Sequence, residues 1–213
     1  MNKTIEAIVF DLGGVLVELS GVSTMLHWSA LALNEQSLWQ RWLTSPGVRA
    51  FETGLIDAED FADQIIAEMQ LTTNREEFLQ AFRAWPKGLY PGVPELLGSL
   101  RQQFKLACLS NTSALHWTRL MGEMGLEKHL DHHFASHLIG KIKPDADCFQ
   151  HILAELQLEP QQVLFYDDNL INIDGANKVG MQGVHVRGFE QVLDHLSEAG
   201  LYPNTNSTNS KQE

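Results

Sequence analysis

The chain has 213 residues, of which 44% are hydrophobic and 20% charged, the balance of a globular protein rather than a disordered one. Its 15 basic and 27 acidic residues leave a net charge of −12, with no basic stripe of the kind that nucleic-acid binding needs. No apolar run approaches the roughly 20 residues that span a bilayer, so neither nucleic acid nor membrane is expected as a partner.

Residues 5–10 (Ile-Glu-Ala-Ile-Val-Phe) form a short apolar run that stops at Asp11-Leu12-Gly13-Gly14, the pattern of a buried parallel strand running into a glycine-rich loop. Residues 17–89 differ: no strand stands out, and helix signals follow one another. Leu38, Trp39, Trp42 and Leu43 outline one helix. Asp57 is placed to cap a second, with Phe61, Ile65 and Met69 inward. Asn74 and Glu77 have the spacing of a capping box for a third, which carries Phe78, Phe82 and Trp85. The Trp and Phe stripe reads as the core of this block.

Beyond it, Val93, Leu96, Leu97 and Leu100 mark one face of a helix after Pro91-Gly92. Residues 105–109 form a strand ending at Ser110-Asn111-Thr112. Phe149, Ile152, Leu153 and Leu156 mark a helix expected to start at Pro144. Residues 162–166 form a strand ending at Asp167-Asp168-Asn169, and residues 183–186 an edge strand. This alternation implies an α/β fold, a Rossmann-like, doubly wound parallel sheet, with an inserted all-helical cap. The expected division is 1–16 with 90–202 as core, 17–89 as cap, and 203–213 as a polar, disordered tail. Met1-Asn2-Lys3-Thr4 lacks the apolar region of a signal peptide. Cys108 and Cys148 sit in apolar surroundings and read as free thiols, which fits the cytoplasm. No feature separates a monomer from a homodimer.

Asp11, Ser110-Asn111, Lys143 and Asp167-Asp168 all fall at strand ends or a helix start of this sheet, the edge where open parallel sheets bind ligands. Singly, each has a structural explanation as a cap, a turn or a solvated charge. Together they supply what phosphoryl transfer needs: a carboxylate nucleophile, hydrogen-bond donors, a fixed cation, and a carboxylate pair whose repulsion a metal would relieve. Mg²⁺, with its preference for oxygen ligands, suits such a pair.

Val9-Phe10-Asp11-Leu12-Gly13-Gly14-Val15-Leu16 resembles the nucleophile loop of haloacid dehalogenase-like hydrolases. Leu109-Ser110-Asn111, Lys143-Pro144-Asp145 and Phe165-Tyr166-Asp167-Asp168-Asn169, with Asn172 and Gly175-Ala176, resemble their remaining motifs in the family's order. The detail, including Phe51-Glu52-Thr53-Gly54-Leu55, is similar to the branch of bacterial glucose 1-phosphate phosphatases and the phosphatase domain of soluble epoxide hydrolase. The resemblance implies a magnesium-dependent phosphatase for a small phosphorylated metabolite, with sugar phosphates among the candidates. It makes Asp11 nucleophile and metal ligand, Asp168 and the Gly13 carbonyl further ligands, and Ser110 and Asn111 the phosphoryl holders. Lys143 would orient Asp11 and neutralise charge, Asp167 would stand behind the ligands, and Asn172 would brace that loop.

One position departs from the family's usual phosphatases, which carry an Asp general acid two residues after the nucleophile; here it is Gly13. Without that acid, substrates with poor leaving groups should suffer most, unless a His or Glu of the cap, or an ordered water, supplies the proton. Glu52 is a candidate cap residue for the pocket. His116 is a further candidate for the pocket. Rival readings are a 2-haloacid dehalogenase, in which the acidic pair would be idle, and a catalytically weak phosphate-binding protein. A signalling receiver domain places its acidic pair at the first strand, which is not the order here.

Overall fold

The chain begins with β1 (Ala7–Phe10) and β2 (Val17–Leu19) and then runs through five helices: α1 (Val22–Trp28), α2 (Glu35–Thr44), α3 (Pro46–Glu52), α4 (Ala58–Glu68) and α5 (Arg75–Arg83). After β3 (Pro86–Leu89) come α6 (Val93–Leu100), β4 (Lys105–Ser110), α7 (Ala114–Thr118), a π-helical turn (Arg119–Glu123), α8 (Leu126–His129), β5 (His132–Ala135) and α9 (Ser136–Ile139). The last elements are α10 (Ala146–Leu156), β6 (Val163–Asp167), α11 (Leu170–Lys178), β7 (Gln182–His185) and α12 (Phe189–Glu198). This computed structural model describes residues 4–203. Apart from Pro203, the expected tail lies outside the described residues.

The main sheet has the order β5-β4-β1-β6-β7, and all its pairings are parallel. Strand side chains alternate between its faces. Ile8, Phe10, Leu106, Cys108, Leu164 and Tyr166 pack on one side, beneath α6 and α12. Ala7, Val9, Ala107, Leu109, Val163 and Phe165 pack on the other, beneath α10 and α11. The chain winds outward from β1 in both directions, so the switch point of the topology lies at the C-terminal end of β1, next to Asp11. Cys108 and Cys148 are free and buried.

Strand β5 is an element that periodicity does not pick out. It is four residues long, two of them histidines, and it sits at the sheet edge, so it carries little of the β-branched signal that marks a central strand. The all-helical expectation for residues 17–89 also needs correction. Their two ends, β2 and β3, pair antiparallel as a ribbon where the insert leaves and rejoins the sheet. Pro86 and Gly88 hide β3, because both residue types are rare in strands.

Helices α2 to α5 enclose their own core of Trp42, Phe51, Phe61, Phe78, Phe82 and Trp85. Phe51 stacks on Phe61 at 4.1 Å between ring centroids, and Trp42 lies 5.0 Å from Trp85. Asp57 caps α4 by accepting from the Glu59 and Asp60 N–H groups. Half of the expected box at α5 forms. Asn74 accepts from the Glu77 N–H at 3.0 Å, but the Glu77 carboxylate takes the Thr73 hydroxyl instead.

The α10 helix starts at Ala146 rather than Pro144. Asn111 holds the Lys143 peptide by both its N–H and its carbonyl, and Asp145 remains extended. The helix therefore begins three residues beyond the clamped Lys143. The Asp145 carboxylate makes no cap hydrogen bond and pairs instead with Arg49 of α3.

Candidate active site

Asp11 follows β1 directly, with its N–H on the Tyr166 carbonyl at 2.8 Å. Lys143 reaches it from the loop before α10. Its Nζ lies 2.9 Å from Asp11 Oδ1 and 2.6 Å from Asp167 Oδ2. All three side chains are buried, so each charge depends on the others for its solvation. Burial opposes the Lys143 ammonium, but Asp11 and Asp167 outweigh it and hold the lysine above its ordinary range. Burial also pushes the Asp11 carboxyl up to about 7, with Lys143 opposing and Asp167 and Asp168 adding to the rise.

The acidic pair splits by surroundings. Asp167 is saturated: besides Lys143 it accepts from the Asn169 N–H at 2.8 Å and from Asn172 Nδ2 at 3.0 and 3.1 Å. Asn172 is thus one of the groups that hold the Asp167 carboxylate. Asp168 stands at the cleft mouth, where loss of hydration and then Asp167 raise its carboxyl to about 6. Gly14 makes room for it. With φ at +72°, Gly14 is where a Cβ would come within 2.5 Å of Asp168 Oδ2.

Carboxylate oxygens of Asp11, Asp167 and Asp168 lie within 4.8 Å of one another. With Asp167 already saturated, Asp11 and Asp168 are left to face a cation. Among the described residues the nearby Gly13 carbonyl accepts no hydrogen bond. Such a donor set of hard oxygens, short of positive charge, fits a magnesium-like ion.

Ser110 ends β4, buried, and its hydroxyl makes no hydrogen bond among the described residues while lining the same cavity. Asn111 differs from the expectation. Its side chain is spent on the Lys143 peptide, at 3.0 Å as donor and 2.9 Å as acceptor. It therefore fixes the lysine loop, and only its backbone remains for a phosphoryl group. His116 is buried and lines the cavity. Its Nε2 bonds the Phe82 carbonyl at 2.7 Å, and burial holds the ring's pKa below the usual histidine range. It ties α7 to α5.

Residues that the sequence alone does not single out complete the cavity. Leu19 of β2 fills the space beside Gly13, where a Cβ would lie 2.7 Å from Leu19 Cδ1. Arg49 joins the insert to the sheet domain through Asp145, its partner 96 positions away.

The electrostatics predict how the metal-free protein responds to pH. Asp11 and Asp168 have folded pKa values near 7 and 6, against 3.8 for the ordinary carboxyl. Between pH 4 and 7 the folded state therefore binds more protons than the unfolded state, and stability falls as pH rises through that window. Glu52, raised to about 8, adds to this slope. His116 and His137, held down by burial, oppose it in part. Asp63 and Asp147, also shifted downward, titrate below the window. In chelator, Tm should drop from pH 5 to pH 8 by on the order of 5 °C, and saturating Mg²⁺ should remove most of the drop. Equal Tm values at the two pH values in chelator would show that the carboxylates do not share an uncompensated charge.

Fold and site together define an α/β enzyme whose acidic pocket opens at the switch point of a parallel sheet, beneath a helical insert. Residues 5–180 match the haloacid dehalogenase-like hydrolases, and the chain belongs to that family; it is a hydrolase of the family's phosphatase kind. It is similar to the sesquiterpene phosphatase astK of Aspergillus oryzae, at 30% identity over 87% of this chain and 92% of the relative. In fold it is similar to a HAD-like family hydrolase of Porphyromonas gingivalis, with a TM-score of 0.75, 22% identity, and coverage of 92% and 98% of the two chains. A HAD family enzyme of Bacteroides thetaiotaomicron, solved with magnesium and inorganic phosphate, gives a TM-score of 0.67 at 22% identity over 85% and 93%. Among the described residues no helix is long and apolar enough to cross a membrane.

Proposed function

We propose that this chain is a magnesium-dependent phosphatase that hydrolyses a small phosphorylated metabolite through an aspartyl-phosphate on Asp11. The observation that carries the reading is the buried Asp11–Lys143–Asp167 cluster at the end of β1, with Asp168 and the Ser110 hydroxyl facing the same space. In this mechanism Asp11 attacks phosphorus and Lys143 holds its carboxylate in line. Ser110 donates to a phosphoryl oxygen, and Asn111 keeps the lysine loop in place. Asp11, Asp168 and the Gly13 carbonyl would hold Mg²⁺, which supplies positive charge against the phosphoryl oxygens. Halide displacement, the dehalogenase alternative, would leave the Asp168 carboxylate without a task. Residues 17–89 act as a cap over the site, and the two buried thiols suit a reducing cytoplasm.

The cavity speaks to the substrate. Its volume is about 720 Å³, and Leu19, Trp39, Leu43, Val48, Leu170 and Ile171 form much of its wall. Leu19, Leu43, Leu170 and Ile171 are exposed large hydrophobic side chains, which soluble proteins gather where something apolar binds. Several polar side chains of the lining already have partners. Ser45 donates to Glu68 at 2.7 Å, Thr44 to the Gln40 carbonyl at 2.8 Å, and Arg49 pairs with Asp145. A carbon-rich phosphate ester, as for the sesquiterpene phosphatase relative, therefore fits better than a polyhydroxylated sugar phosphate.

The test is a series of n-alkyl phosphates beside sugar phosphates, with Mg²⁺ and with chelator. Burial of each CH₂ is worth about 0.8 kcal/mol, so kcat/KM should rise up to about fourfold per carbon until the cavity fills. Turnover should vanish in chelator. A preference for sugar phosphates would overturn the substrate class, and full turnover in excess chelator would overturn the metal assignment.

A further inference from the structure

When a phosphate ester breaks, the departing oxygen needs a proton, and the loop that carries Asp11 has no side chain to give one. Gly13 contributes none, and Leu19 fills the space beside it. The ionisable groups that line the cavity narrow the choice. Asp11 and Asp168 are committed to the nucleophile and the cation, and Lys143 is held by two carboxylates. Arg49 is paired with Asp145, and an arginine such as Arg187 does not release a proton near neutral pH. His116 is bound to the Phe82 carbonyl, and His185 to the Asp168 carbonyl at 2.9 Å.

Glu52 remains. It is the last residue of α3, lines the cavity, and lies within electrostatic reach of both Lys143 and Asp11. Among the described residues its carboxyl makes no hydrogen bond or ion pair. Its place is set from both flanks. Arg49, on the same helix, pairs with Asp145 at the start of α10. Gly54, with φ at +76°, lies against the sheet domain, where a Cβ would be 2.9 Å from the His137 carbonyl oxygen. Glu52 is half-buried, and the loss of hydration raises its carboxyl to about 8, which favours the protonated form that a proton donor needs.

We propose that Glu52 is the general acid and base of this site, an inference that rests on the phosphatase reading. In the first step an Asp11 oxygen bonds to phosphorus, the bond from phosphorus to the ester oxygen breaks, and that oxygen takes the Glu52 proton as the alcohol leaves. In the second step water attacks the phosphorus of the aspartyl-phosphate and returns its proton to Glu52. Inorganic phosphate departs, and the Asp11 carboxylate is restored.

The test is Glu52→Gln, which keeps shape and polarity but cannot transfer a proton, measured over esters from alkyl to dinitrophenyl phosphate. The expected loss in kcat/KM is about 10²-fold or more for alkyl phosphates and within a few-fold for the dinitrophenyl ester, whose leaving group needs no proton. The slope against leaving-group pKa should be shallow in the wild type and steep in the variant. The variant should also show a burst of dinitrophenolate as phosphoenzyme accumulates, and Glu52→Asp should recover part of the shallow slope. An equal loss across the whole series would make Glu52 a positioning residue and overturn the proposal. Release of phosphate from no ester by the wild type would overturn the phosphatase reading itself, and the proposal with it.

Discussion

Asp11→Asn should lower kcat by at least about 10³-fold, since removal of a covalent nucleophile is among the costliest changes an active site can undergo. An amide oxygen can still accept from Lys143 at the 2.9 Å position, so the fold has no reason to fail. Stability should move the other way. Asp11 is a buried carboxyl whose ionisation is opposed by burial, Asp167 and Asp168, and the amide removes that cost. In chelator at pH 8 the variant's Tm should therefore equal or exceed that of the wild type, while phosphate release is lost and no phosphoenzyme is trapped. Turnover near the wild-type rate would remove Asp11 from the mechanism.

Lys143→Met has the opposite signature, with activity and stability falling together. The ammonium is the counter-charge to Asp11 and to Asp167, which is fully buried. Loss of one partner from a buried ion pair costs about 3–5 kcal/mol, because the remaining charge stays buried and unpaired. For a chain of this length that is about 10 °C in Tm. Asn172 and the Asn169 N–H still hold Asp167, so the folded state should persist at room temperature. The deficit should be larger at pH 8 than at pH 5, where protonation of the carboxyls relieves the repulsion. A Tm within about 2 °C of the wild type at pH 8 would mean that the cluster is not held by charge.

The local pattern carried much of this protein's organisation. Short apolar runs at β1, β4 and β6 stop at Asp11, Ser110 and Asp167, because a buried parallel strand must end where the chain meets solvent and turns. Since those ends share one sheet edge, the order of the motifs along the chain was enough to place Asp11, Ser110, Lys143, Asp167 and Asp168 together. The Asp57 and Asn74 caps were legible for a similar reason, since a cap and the N–H groups it serves lie within three residues. The short strands β2, β3 and β5 were not legible, because their stability comes from a neighbour rather than from their own composition.

Tertiary structure alone decided which contacts hold each side chain of the site. Residue type does not tell Asp167 from Asp168, and only the motif resemblance set them apart; the physical difference is that Lys143 and Asn172 converge on Asp167 and leave Asp168 at the cleft mouth. The same holds for Asn111, whose side chain goes to the Lys143 peptide 32 positions away, and for His116, tied to Phe82 across 34. The helix carrying Glu52 reaches the cavity because Arg49 meets Asp145 across 96 positions and Gly54 passes close to His137. Sequence periodicity reports which face of an element is buried. Which partner buries it, and so which carboxyl is desolvated or left free, depends on contacts between residues far apart in the chain, such as Lys143 with Asp167.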